Sequence, residues 1–243
     1  MLVMPSVSNF VTWLAPEQCF LLGSLTLVLL LERVRAQTPY RTVPRTHGLF
    51  NLALGIGAFG LNLLLVSGIY AWVYAHPAGQ VLAPLPPAAS WPLSVMVLDL
   101  TVFVWHKYVM HGLDLGYRFL HRVHHTERYL EATSAYRFHP LEVLFSQGPQ
   151  LLVVWLLGLT AGQVGLFYLL FSLQNLLVHA NIRVSPRWEK LLSPLLITPH
   201  VHRLHHQRGA SKAANFGTIF SFWDRLLGSY RRDSRYALVQ FGE

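Results

Sequence analysis

Thirteen of the 243 residues are histidine, and their spacing says more than their number. His121, His124 and His125 stand at i, i+3 and i+4, and His202, His205 and His206 repeat that pattern 81 residues later. On a helix of 3.6 residues per turn such positions share one face. Two stripes brought together offer six imidazoles at one locus, more than the four ligands of a tetrahedral zinc ion, so two metal ions are expected. Imidazole suits zinc, copper, iron and nickel alike, and ligand type alone leaves the metal open. Cys19 is the only cysteine, which excludes an intrachain disulfide and a thiolate-rich metal site.

Other histidines extend the constellation. His106 and His111 are five residues apart, about 140° round a regular helix. Both reach one cluster only if the helix ends or bends between them, and Gly112 suits an ending. His179 closes a long apolar stretch. Taken singly, each of these three has the alternative of a helix-end residue in water; beside the two triplets they are expected as ligands. His139 precedes Pro140 and reads equally well as a loop residue bonding backbone, and His200, two before His202, lies on a different helical face. His47 is expected to be a bystander. Asp99, Asp114, Glu127, Glu131 and Glu142 are the acids available to orient imidazoles by hydrogen bonding. Asp99 lies two helical turns before His106, and its alternative role is a hydrogen bond between helices, since intramembrane acids are usually paired.

The elements that must position these residues are apolar. Hydrophobic residues make up 53% of the chain and charged residues 12%, against roughly 25% charged in a soluble domain. All nineteen Lys and Arg residues fall in 33–45, 107–137 and 183–235. Charges confined to alternate loops follow the positive-inside rule, so the net charge of +8 marks cytoplasmic loops rather than a nucleic-acid partner. Leu49–Tyr74 meets the spanning length of about 20 apolar residues. The run Cys19–Leu31 reaches it only if extended back towards Phe10. Pro92 to about Met110 is expected as a further span, and Leu141–Val178 as a helical hairpin turning near Gly158, Gly162 and Gly165. The basic tail from Ala180 offers Trp188, Phe222 and Trp223 to a membrane surface. The expected fold is all-α: a single domain over 1–243, a polytopic membrane helical bundle with a cytoplasmic histidine-rich helical cap. The N-terminus lacks the marks of a removed signal peptide.

With these residues assembled, the sequence resembles the fatty acid hydroxylase and sterol desaturase superfamily. The resemblance rests on His106 to His111, His-Arg-Val-His-His at 121–125 and His-Arg-Leu-His-His at 202–206. Asp99, Arg137-Phe-His-Pro-Leu-Glu142, His179-Ala-Asn181, Asn215-Phe-Gly217 and Trp223-Asp-Arg-Leu-Leu-Gly228 add to it, and it covers roughly 92–230. It implies a membrane enzyme with two metal ions, ordinarily iron, that activates dioxygen and hydroxylates or desaturates a lipid. It also implies Asn181 and Asn215, with Asp99 and Glu142, as supports of the ligand set. Some members carry a further histidine four residues after the one matching His179; here that position is Arg183, so one ligand is absent or supplied by His200 or His139.

The sequence holds no flavin, haem or dinucleotide motif, so electrons are expected from a separate reductase with a cytochrome or ferredoxin. The expected activity is hydroxylation of a fatty acyl chain, sterol or related lipid; the alternatives are a desaturase with the same centre and a non-catalytic metal-binding membrane protein. A metal transporter would spread its ligands through the membrane depth. A zinc hydrolase would carry H-E-x-x-H, which is missing. The chain has no C-terminal lysine retrieval signal, and a bacterial inner membrane is the expected location.

Overall fold

The structure, a computed structural model, describes residues 22–38, 44, 46–208, 214–233 and 241–242. Among them the chain is helical, with three isolated β-bridges and no strand. A helix over 22–35, α1, is followed by α2 (His47–Ala75), α3 (Pro87–Val104), α4 (Arg122–His125), α5 (Pro140–Leu157), α6 (Ala161–His179), α7 (Pro186–Leu192), α8 (Pro199–His205) and α9 (Phe222–Leu226). The expected first span begins outside the described residues.

Four helices are long and apolar enough to cross a membrane: His47–Ala75, Pro87–Met110, Pro140–Leu157 and Ala161–His179. Their outer faces expose large apolar side chains such as Ile56, Leu64, Leu152 and Leu170. Their inner faces pack Val73, Val95, Leu98, Val154, Val164 and Phe167 into one cluster. At 1.5 Å per residue the 29 residues of α2 run about 43 Å, well beyond a hydrocarbon core of about 30 Å. Its first turns pack against Glu131, Thr133 and Tyr136. There the buried Asn51 donates to Glu127 and accepts from Arg137, both at 3.0 Å.

The α5–α6 hairpin turns at one of the three expected glycines. Gly158 ends α5 with φ +64°, and a Cβ there would lie 2.1 Å from the carbonyl oxygen of Gly79, so both conformation and close approach require glycine. Thr160 then caps α6 through a reciprocal pair with Gln163. Gly162 and Gly165 lie within α6.

Two stretches of wider, π-helical winding distinguish the cap. Trp105–Met110 continues α3, and Gly116–His121 leads into α4. Such windings are rare and gather at functional sites. Both carry histidines.

A candidate dimetal centre

Nine buried or half-buried imidazoles form two groups, each with its ligand atoms within 4.8 Å of one another. The first holds His106, His111, His121, His125 and His205; the second holds His124, His179, His202 and His206. The groups adjoin, since His125 and His206 stack across the boundary with ring centroids 4.5 Å apart. Each triplet is divided between them. His121 and His125 enter the first group while His124 enters the second; His202 and His206 enter the second while His205 enters the first. Positions i and i+4 point together, and i+3 points to the neighbouring group.

His106 and His111 share a group for a reason that the regular helix conceals. The helix does end between them, at Met110 with His111 as its cap, and its last turn is widened. The N–H of His111 donates to the carbonyl of His106, five residues back, at 3.0 Å. That i to i+5 pairing brings the fifth residue round to the same face, and the two Nε2 atoms stand 3.1 Å apart.

Hydrogen bonds fix which nitrogen faces inward in five of the nine rings. His106 Nδ1 meets the carbonyl oxygen of Phe216 at 2.7 Å, and His205 Nδ1 that of Ala214 at 2.9 Å. His124 Nδ1 meets the carbonyl oxygen of Arg137 at 3.2 Å, and His179 Nδ1 that of Asn175 at 2.8 Å. A carbonyl oxygen only accepts, so each of these Nδ1 atoms carries the proton and each Nε2 offers a lone pair. His121 Nδ1 lies 2.6 Å from Glu142 Oε1, the charge-assisted form of the same arrangement. Lone pairs therefore meet head-on: His106 Nε2 and His121 Nε2 are 3.0 Å apart, and His124 Nε2 and His179 Nε2 3.1 Å apart. Neither pair is a hydrogen bond. Such contacts are repulsive unless a cation lies between them, and the residues present therefore fit metal ions.

Spacing adds to the fit. Nitrogens bonded at about 2.1 Å lie roughly 3.0 Å apart at a right angle and roughly 3.4 Å apart at a tetrahedral one. The close Nε2 contacts here are 3.0–3.1 Å in both groups. Burial, with the neighbouring rings, holds His111, His124, His125, His202 and His206 well below the usual imidazole pKa, and His205 is pushed down to about 3. Neutral rings are the form that metals bind.

Several expected supports act at one remove. Asp99 touches no imidazole. Its carboxylate accepts from the N–H groups of Ile219 and Phe220 and from the indole of Trp223, at 3.0–3.2 Å. Asp224, which the spacing did not single out as a support, accepts from the N–H groups of Phe216 and Gly217 at 2.8 Å. Together the two acids hold the loop whose carbonyls orient His106 and His205. Asn215 sits in that loop at φ +60°, a conformation asparagine tolerates, and bonds the backbone of Val201 and Arg231. Asn181 also meets no ring; it accepts from Arg203 at 3.1 Å and from the backbone of Thr38 at 3.0 Å. Trp223 is turned towards Asp99 rather than a membrane, whereas Trp188 is exposed.

His139 and His200 enter neither group. His139 caps α5, its Nδ1 accepting from Leu141 N–H at 3.2 Å. His47 lies 3.3 Å from Glu127, outside both groups. Arg183 is exposed, with its N–H on the carbonyl of Arg35. The helix stops at His179 and the chain turns extended at Ala180, so the fourth residue onward no longer shares the face of His179. Among the described residues no further imidazole joins the second group, which has four.

The sequence profile of a family described as fatty acid hydroxylase matches residues 91–229, more than half of the chain. The chain belongs to the fatty acid hydroxylase family. Among curated members and relatives, a Delta(7)-sterol 5(6)-desaturase of Aspergillus fumigatus is 28% identical over 169 residues, 68% of this chain and 46% of that protein. An ornithine lipid hydroxylase of Rhizobium tropici is 28% identical over 166 residues, 63% of this chain and 47% of that protein. A methylsterol monooxygenase of Arabidopsis thaliana is 25% identical over 245 aligned positions, 91% of this chain and 86% of that protein. The first two alignments span about half the length of those relatives. No solved structure matches. Four apolar helices and membership of this hydroxylase family make the protein an integral membrane protein.

Proposed function

We propose that the protein is a membrane oxygenase, one domain over 1–243, that hydroxylates a lipid with two iron ions held in the two histidine groups and electrons from a separate protein. The observation that carries this reading is the set of imidazole lone pairs converging in two adjoining groups. Zinc fits less well: it has no redox chemistry and its sites rarely exceed four ligands, whereas the first group offers five at near-right-angle spacing. Bound iron would supply dioxygen activation. The protein's own residues keep the rings neutral by burial, aim the Nε2 atoms of His106, His121, His124, His179 and His205 inward through a carbonyl or Glu142, and exclude water from the rings.

The lipid-exposed faces of α2, α3, α5 and α6 let a lipid substrate approach from the bilayer without crossing water. Lys and Arg residues confined to alternate loops support a cytoplasmic histidine cap, within reach of an electron donor, and a bacterial inner membrane is the proposed location. Desaturation is the second reading, favoured by the sterol desaturases among the relatives. The test is mass spectrometry of lipid extracts from cells with and without the protein, paired with metal analysis of the purified protein. Two irons per chain and a lipid that gains one oxygen are expected; a lipid losing two hydrogens selects the desaturase. An iron-free, zinc-loaded protein with an unchanged lipid profile overturns both.

A further inference from the structure

We infer that the segment 112–120 is seated in the membrane boundary, with Leu115 and Phe119 among lipid acyl chains, so that two ligands of the first histidine group, His111 and His121, flank a lipid-embedded element. This rests on the reading of the four apolar helices as membrane spans. The segment lies between two of them. On one side Gly116 packs against the continuation of α3 so closely that a Cβ would fall 2.2 Å from the carbonyl oxygen of Val109. On the other, His121 is bonded to Glu142 in the first turn of α5.

The flanking spans show their lipid faces at this level through Val104 and Tyr108 on one side and Leu141 and Phe145 on the other, all exposed. A segment fixed between those ends cannot sit at a different depth. Its own exposed apolar residues are Leu113, 55% exposed, Leu115, 72%, and Phe119, 67%, so large apolar side chains are presented along the segment as on the spans at either end. Its two formal charges, Asp114 and Arg118, pair with each other at 3.0 Å, which suits the headgroup level. A large exposed apolar surface continuous with membrane-spanning faces has lipid as its natural cover.

The test uses the full chain in vesicles of phosphatidylcholine and phosphatidylglycerol. Cys19→Ala removes the only native cysteine, and Leu115→Cys or Phe119→Cys then accepts a nitroxide label. Leu64→Cys on the outer face of α2 and Arg128→Cys on the exposed cap serve as lipid and water references. Electron paramagnetic resonance then compares relaxation by oxygen with relaxation by a water-soluble nickel chelate. Labels at 115 and 119 should show an oxygen-to-nickel ratio at least fivefold above that at 128 and close to that at 64. Ratios equal to that at 128, with 64 still lipid-like, overturn the proposal and leave the spans standing. A water-like label at 64 overturns the membrane reading and the proposal with it. In the unsubstituted protein, an apolar photoactivated carbene dissolved in the same vesicles should modify the peptide containing 115–119. Absence of that adduct beside modified α2 peptides also overturns it.

Discussion

The two histidine groups are built from the same kind of residue yet supported differently. The five-ring group hangs on three kinds of support: a π-helical widening that aligns His106 with His111, the carboxylate of Glu142, and a loop held by Asp99 and Asp224. The four-ring group depends on backbone carbonyls that its own neighbourhood supplies, from Arg137 to His124 and from Asn175 to His179. The first group has a spare donor and many remote supports, whereas the second has no spare and few. Ligand loss should therefore be felt more in the second group, and loss of support more in the first.

The largest contrast should come from the ligands. His179→Ala leaves the second group three donors, and metal content should fall from two ions per chain to about one, with turnover lowered on the order of 100-fold or more. His111→Ala leaves the first group four donors and should keep nearly two ions. Elemental analysis of the purified variants decides it; equal metal loss from both would show that the fifth ring is not spare.

Next in size is Glu142→Gln. An amide can present its N–H to His121 Nδ1, no longer enforcing the proton there, and metal affinity of the first group should fall roughly 10–100-fold. Chelator competition should show one weakened site and one unchanged. Asp224→Asn should act in the same direction but more weakly, about tenfold, because it reaches His106 through the backbone of Phe216. Weakening of both sites alike would mean that the loop supports the whole cap. The smallest effect is expected from His139→Ala and His200→Ala, each leaving metal content unchanged; a lost ion in either variant would add a ligand that the geometry leaves out.

The spacing of 121, 124 and 125 and of 202, 205 and 206 made the triplets legible, because an i, i+3, i+4 pattern follows from helix geometry alone. Their division between two groups did not follow, since it depends on how two helices 81 residues apart face each other. The helix ends between His106 and His111 as Gly112 suggested, but the widened last turn that aligns them was not legible, because π-helical winding leaves no mark in residue type. The spans were legible from charge-free apolar runs, with α2 within two residues of its expected start and one of its expected end. Asp99 looked like a support for the rings two turns away and proved to hold a loop 120 residues distant. Backbone acceptors such as Phe216, Ala214 and Asn175 have no sequence signal, because every residue carries a carbonyl.

The exchange of the middle histidine between triplets bears on how the protein matures. During synthesis, everything up to α6 supplies four of the five donors for one ion but only His124 and His179 for the other. The remaining three arrive together on α8 and its cap His206, so on the proposed reading a nascent chain could capture a first ion early and a second only after its last ligand helix has docked. Truncation ahead of α8 would cost one group its fifth donor and the other two of its four, which would make docking of that short helix the step that completes both sites.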